Sequence, residues 1–125
     1  MNFDTTSEFD KDVKRLAKKW RSIPGDIEAV KRYIAPLYIQ LVSDKTVEEY
    51  RQDTFASSFA AVIYKDDNVE VIKMRLDVQD LHTASKVRIV FVAKVQAGTV
   101  TFIELYAKND KSREDTARIK KYTKL

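Results

Sequence analysis

A chain of 125 residues with 23 Lys and Arg against 19 Asp and Glu carries a formal charge of +4, and 44% of it is hydrophobic. That length makes one domain able to bury its own core, and with no cysteine neither a disulfide nor a thiolate metal site can form. The lone histidine, His82, speaks against a histidine metal cluster, no apolar stretch approaches the roughly 20 residues that span a bilayer, and Met1 to Glu8 lack a signal-peptide pattern, so a cytosolic protein without membrane contact is expected.

The first predicted element is a helix opened by Ser7, with Asp10 three residues on in the manner of a capping box. Phe9, Val13, Leu16 and Trp20 recur at helical spacing and form one apolar stripe, with Lys11, Lys14, Arg15, Lys18, Lys19 and Arg21 around the other side. Such a basic amphipathic helix fits a membrane surface, a nucleic acid, or a sheet on which it packs while showing lysines to water. Ser22 to Asp26 is a break containing Pro24 and Gly25, with Asp26 as the expected cap of a second helix. Ile27, Val30, Ile34, Leu37 and Leu41 then form a matching seam, and Pro36 predicts a kink or an end near Ala35. Two such helices joined by a short turn read as an antiparallel hairpin. Thr46 to Glu49 carries another capping signal, for a short third helix running towards Phe55.

From about Phe59 the period turns extended, though Phe59 to Tyr64 is too short to decide. Lys65 to Asn68 reads as a turn, and strands are expected over about 69–78, 87–95 and 99–108, the last two joined by Gln96-Ala97-Gly98 as a hairpin. Ser112, with Asp115 three on, is the expected cap of a tail helix carrying Ile119 and Tyr122. Helices first and strands after predict an α+β domain: a helical part over about 7–58, an antiparallel sheet of three to five strands over about 59–110, and a tail helix over about 112–124.

The charge surplus is localised. Residues 1–64 hold ten basic and ten acidic side chains, whereas residues 65–125 hold thirteen and nine. In the run Val71 to Val78, Ile72, Met74, Leu76 and Val78 alternate with Lys73, Arg75 and Asp77, so the apolar set can seat a core while both cations face the other way. Arg88 shares a strand face with Val90 and Val92, and strict alternation on the last strand groups Phe102, Glu104, Tyr106 and Lys108 against Thr101, Ile103, Leu105 and Ala107. A sheet covered on one side only would gather Lys73, Arg75, Arg88, Tyr106 and Lys108, with Glu104 among them, into an electropositive concavity. Ordinary strand polarity with Arg–Glu pairing is the plainer alternative.

The segments Ile72-Lys73-Met74-Arg75-Leu76 and Ser85-Lys86-Val87-Arg88-Ile89-Val90-Phe91, then Ile103 to Lys111 and Arg118 to Lys121, resemble in order and spacing the RelE/ParE toxin superfamily of bacterial toxin–antitoxin systems. Phe9 to Ile23 is similar to the first helix of that family, and the likeness touches about two thirds of the chain. It implies an antiparallel sheet against a helical hairpin. It implies a RelE-like toxin, a ribosome-dependent endonuclease that cuts mRNA without a metal or other cofactor, the RNA 2′-OH attacking the neighbouring phosphate. The implied catalytic residues are Lys73, Arg75, Arg88 and Lys108, and the implied RNA contacts are Lys86, Tyr106, Lys111, Arg113 and Tyr122. The implied partners are a cognate antitoxin, the ribosome and mRNA, with DNA gyrase the target if the chain is ParE-like. A non-toxic RNA-binding protein of the same fold is a third possibility.

Several positions depart from the family pattern. Lys86-Val87 replaces its Gly-Tyr pair, Phe91 its following tyrosine, and Val71 a further lysine. His82 lies in the 79–86 loop, a place for a general base, although a lone loop histidine is usually incidental.

Overall fold

The computed structural model describes residues 1–38, 55, 59–81 and 86–123. Within these the chain runs β1 (Asn2–Thr5), α1 (Ser7–Ala17), α2 (Ile23–Ile34), a 3-10 turn (Ala35–Tyr38), β2 (Ala60–Lys65), β3 (Val69–Arg75), β4 (Val87–Lys94), β5 (Thr99–Ala107) and α3 (Thr116–Thr123). The expected third helix, apart from Phe55, and Leu41 and His82 lie outside the described residues.

The strands form one sheet in the order β1-β5-β4-β3-β2. β2 through β5 are antiparallel, but β1 lies parallel to β5, pairing Asn2 with Thr99 and Thr5 with Phe102. The α+β class holds, and the expectation of a wholly antiparallel sheet is corrected by this first strand. β1 is polar and gives periodicity little to register, since Phe3 alone among its four residues is partly buried.

β1 also moves the first helix cap. Thr6, not Ser7, is the N-cap: it stays extended, its N–H donates to the Phe102 carbonyl at 3.2 Å, and its Oγ1 accepts the Phe9 N–H at 3.1 Å. A cap of this kind stabilises by about 1 kcal/mol. In α2 the cap position is Ser22, with Pro24 in the first turn, where its missing N–H costs nothing. Asp26, the expected cap, lies inside the helix and accepts from the Ser22 hydroxyl at 2.7 Å and from the Gln79 N–H at 3.2 Å. α2 ends at Ile34, and Pro36 falls in the 3-10 turn, in line with the predicted end.

The main core lies between α1, α2 and one sheet face. Phe9, Leu16, Ile23, Ile27, Val30 and Ile34 from the helices meet Ile72, Met74, Ile89, Phe91, Phe102 and Leu105. Aromatic rings form its spine. Phe102 stacks on Phe3 at 5.9 Å and Phe9 at 5.5 Å and meets Phe91 edge-on at 6.0 Å, and Phe91 in turn meets Phe55 and Tyr38. Offset and edge-to-face pairs of this kind add about 0.5–1.5 kcal/mol each beyond the area they bury.

Phe102 therefore belongs to the helix side, contrary to strict alternation. The register of β5 shifts between Val90 and Phe91 of β4, pairing Val90 with Glu104 but Phe91 with Phe102. Ile103 is the extra residue of this bulge and packs with Val71, Val90, Val92, Tyr106 and Ile119 in a second apolar cluster on the opposite face. A bulge lets two consecutive residues share a side. The second face is thus not wholly open: α3 covers part of it through Ile119 and Tyr122, and the cations occupy what is left.

Candidate functional site

β4 is the central strand, and between Val87 and Ala93 every residue except Arg88 is buried. Burying even part of a guanidinium forfeits hydration that something must replace. The ladder sets Arg88 directly opposite Arg75 on β3 and Tyr106 on β5. Like charges facing each other across strands destabilise a sheet. Burial first, and Arg75 second, push the Arg88 pKa down. The surroundings of Arg88 on balance disfavour its charge, and an incoming anion would reverse that.

The space beside it is a shallow hollow of about 200 Å³ lined by Lys73, Arg75, Arg88 and Lys108, with Phe59, Ala60, Ala61 and Met74 as its apolar wall. Lys108 follows directly on β5, where its N–H donates to the Lys86 carbonyl at 2.8 Å and stitches the two strand ends together. The four side chains that the sequence nominates for catalysis therefore share one concavity, drawn from three neighbouring strands. Cations fixed on a sheet are already in place when charge develops on a bound group.

Internal acids hold one of these four cations, Lys73, and one further cation, Lys111. The Lys73 ammonium lies 2.9 Å from Glu114, in the segment leading to α3. Lys111 pairs with Glu104, a carboxylate only 1% exposed that also accepts the Asp115 N–H at 2.8 Å. The ammonium of Lys111 lies 5.3 Å from the centre of the Tyr106 ring. Tyr106 is buried, and its hydroxyl is pushed up to about 12, by burial first and then by Glu114 and Glu104. It keeps its proton at neutral pH and cannot serve there as a base. Lys86 and Arg113 are exposed, and the charge of Arg113 is felt at Tyr106 and Glu114. Tyr122 does not line the hollow: its hydroxyl donates to Glu8 of α1 at 2.5 Å, in a group that includes Lys121. That hydrogen bond ties the tail helix to α1.

Glu114 gives the site a pH signature. Burial raises its pKa, but its own backbone N–H and the Lys73 ammonium outweigh that and hold the carboxyl below the ordinary 4.5. A carboxyl with a depressed folded pKa contributes stability that is complete above its unfolded value and is lost as pH falls through the folded one. The urea midpoint should accordingly decline more steeply below about pH 4.5 in the wild type than in Glu114→Gln. Equal acid slopes in the two proteins would show that Glu114 gains nothing from Lys73. In Glu114→Gln at neutral pH, Lys73 loses its internal carboxylate partner and polyanion binding should rise.

The densest polar group is one that periodicity alone does not reveal. The Asp12 carboxylate of α1 accepts the Leu105 N–H at 3.1 Å, just beyond the β5 bulge, and faces Arg118 of α3 at 2.6 Å. Arg118 also donates to the Ile103 carbonyl at 2.9 Å and lies 3.4 Å from Glu8. Asp12 falls between Phe9 and Leu16 on the apolar stripe, and a carboxylate at such a position is the available sequence signal for a buried partner. The Asp115 carboxylate, not Ser112, caps α3 by accepting the Arg118 N–H at 3.1 Å.

The chain matches no protein-family model, no curated protein and no solved structure. The functional reading therefore rests on the chemistry of the hollow. Among the described residues, no helix is long and apolar enough to cross a membrane.

Proposed function

We propose that this chain is a RelE-like toxin of a type II toxin–antitoxin system, an mRNA endonuclease that acts at the ribosome and inhibits translation. The observation carrying this reading is the convergence of Lys73, Arg75, Arg88 and Lys108 on a single hollow. The order of elements, two helices packed on a sheet with a tail helix after it, fits the arrangement that the resemblance implies.

In this reading a phosphodiester of single-stranded RNA seats in the hollow. The 2′-oxygen of the preceding ribose attacks phosphorus as its proton passes to water, a new P–O2′ bond forms and the P–O5′ bond breaks. The departing 5′-oxygen takes a proton from water, leaving a cyclic phosphate and a 5′-hydroxyl. The phosphorane passed on the way carries more negative charge than the bound diester, so Arg75, Arg88 and Lys108 stabilise it more than the ground state, which is what lowers a barrier. A cognate antitoxin would silence the protein by covering the cations with an acidic segment.

One observation favours a second reading. The described residues lining the hollow include no carboxylate, imidazole or phenol to take the 2′-OH proton. The same cations serve a protein that binds without cutting, whether a ParE-like gyrase inhibitor or a non-toxic RNA-binding protein. Induced expression separates the three. Growth arrest with codon-phased mRNA cuts by primer extension, abolished by Arg88→Ala and by Lys73→Ala, is the expected result. Arrest with a DNA-damage response and intact mRNA would replace it with the gyrase reading, and no arrest would leave binding alone.

A further inference from the structure

Among the described residues, the two aromatic side chains most open to solvent are Phe59, 63% exposed, and Tyr33, 52% exposed. Both line the same pocket, a space of about 310 Å³ between α2 and the β2–β3 edge of the sheet, whose other apolar walls include Val30, Phe55 and Met74. Leaving two large rings in water at one spot forgoes burial worth about 25 cal/mol per Å². A chain keeps such an arrangement where something else is to cover it.

The pocket adjoins the cationic hollow. Phe59, Ala60, Met74 and Arg75 line both spaces, so the rung joining the start of β2 to the end of β3 is the ridge between them. The Arg75 N–H donates to the Phe59 carbonyl at 2.9 Å, which fixes that ridge as part of the ladder. The remaining wall carries Asp26, Asp77 and Gln79, with the Asp26 carboxylate already engaged by the Ser22 hydroxyl and the Gln79 N–H, and the Gln79 amide donating to Asp77 Oδ2 at 3.3 Å. These groups present acceptor oxygens. Polarity is thus segregated: cations on one side of the ridge, the Phe59 ring on it with Tyr33 of α2 across the pocket, and hydrogen-bond acceptors on the other side.

A nucleotide has the matching polarity, an anionic phosphate, a flat π-face and a base edge with N–H donors. We propose that the Phe59–Tyr33 pocket seats one nucleobase of a single-stranded RNA whose adjacent phosphate lies against Arg75 and Arg88. This inference rests on the phosphate-binding reading of the hollow and adds to it the base as a second recognised element. A pocket of this volume lies at the small end of the roughly 300–1,000 Å³ seen for small-molecule sites, as suits a single base. Aromatic stacking would make the preference tolerant of sequence, and Asp77 would favour bases that offer an amino group.

Fluorescence anisotropy with the full chain tests it, using a labelled single-stranded RNA and the same ribose-phosphate chain made abasic. The wild type should bind the base-bearing strand about tenfold more tightly, the loss expected from removing one stacked base. Phe59→Ala and Tyr33→Ala should each bring the ratio close to one, and Tyr33→Ala, at a residue that lines the pocket and not the hollow, should also leave the abasic affinity unchanged. Both side chains are exposed enough to be replaced without loss of fold. Arg88→Ala should weaken both strands together and preserve the ratio. A ratio of one in the wild type, or a ratio that survives both aromatic substitutions, overturns the base pocket while leaving the cationic hollow intact. Failure of the wild type to bind either strand overturns the hollow and the pocket together.

Discussion

Under the proposed endonuclease activity, Arg88→Ala is expected to slow RNA cleavage about 100-fold, a loss of about 3 kcal/mol of transition-state stabilisation. The side chain projects from the central strand, at the one position between Val87 and Ala93 that reaches solvent, into the hollow that Lys73, Arg75 and Lys108 also line. Arg88→Lys should recover only part of the rate, because an ammonium is a point charge without the planar fork that grips two phosphate oxygens. The slope of binding against salt should fall by about 1 on a log–log plot, as expected when one phosphate contact is lost. The thermal midpoint should change little, since the substitution removes both a charge that faces Arg75 across the ladder and a 3.3 Å hydrogen bond to the Val87 carbonyl. A midpoint well below the wild type would make Arg88 a structural residue. Unchanged RNA binding would remove it from the site.

Arg118→Ala is expected to act in the opposite sense, destabilising the fold by about 3–5 kcal/mol and leaving the hollow chemically intact. Its guanidinium lies 2.6 Å from Asp12 and donates to the Ile103 carbonyl at 2.9 Å. Asp12 is only 6% exposed, so truncating Arg118 leaves a buried carboxylate with the Leu105 N–H and, at 3.9 Å, the exposed Arg15 guanidinium as its remaining partners. For a domain of this size the melting point should drop by about 10–20 °C. Adding Asp12→Asn should recover part of the loss, because the amide oxygen can still accept from Leu105 and no unpaired charge is left. A drop of only about 2 °C in the single variant would place the group with the many ion pairs that contribute little. Three elements meet at this point, α1, the bulge of β5 and α3, which is why one arginine is expected to matter so much.

The two residues show why site and scaffold differ in legibility. Lys73, Arg75 and Arg88 interrupt apolar runs with cations, and alternation then places them on the face away from the core whatever the details of pairing. Arg118 interrupts nothing. It lies between Ala117 and Ile119 in a tail rich in charge, its importance comes from Asp12, 106 positions earlier, and no local pattern links the two. Likewise the seams Phe9–Leu16 and Ile27–Ile34 could be read directly, because helical spacing of large apolar residues has few other uses. β1 could not, since a short polar strand is defined by the edge it joins and not by its own residues.

The α+β class, the two packed helices, the turns between the strands at 65–68 and 96–98 and the gathering of basic residues in the second half could be read from the residues alone, because each follows from spacing or composition within a short window. The expected break at 22–26, by contrast, falls largely inside α2. Only the tertiary structure decided that Phe102 faces the helices, that Glu114 and Glu104 hold Lys73 and Lys111, that Tyr122 is tied to Glu8, and that an aromatic pocket lies beside the cations. The bulge in β5 is the physical reason for the first: one extra residue changes which side chains share a face, and no alternation rule reports it. The others are pairings between distant segments, whose partners are chosen by packing and charge in space.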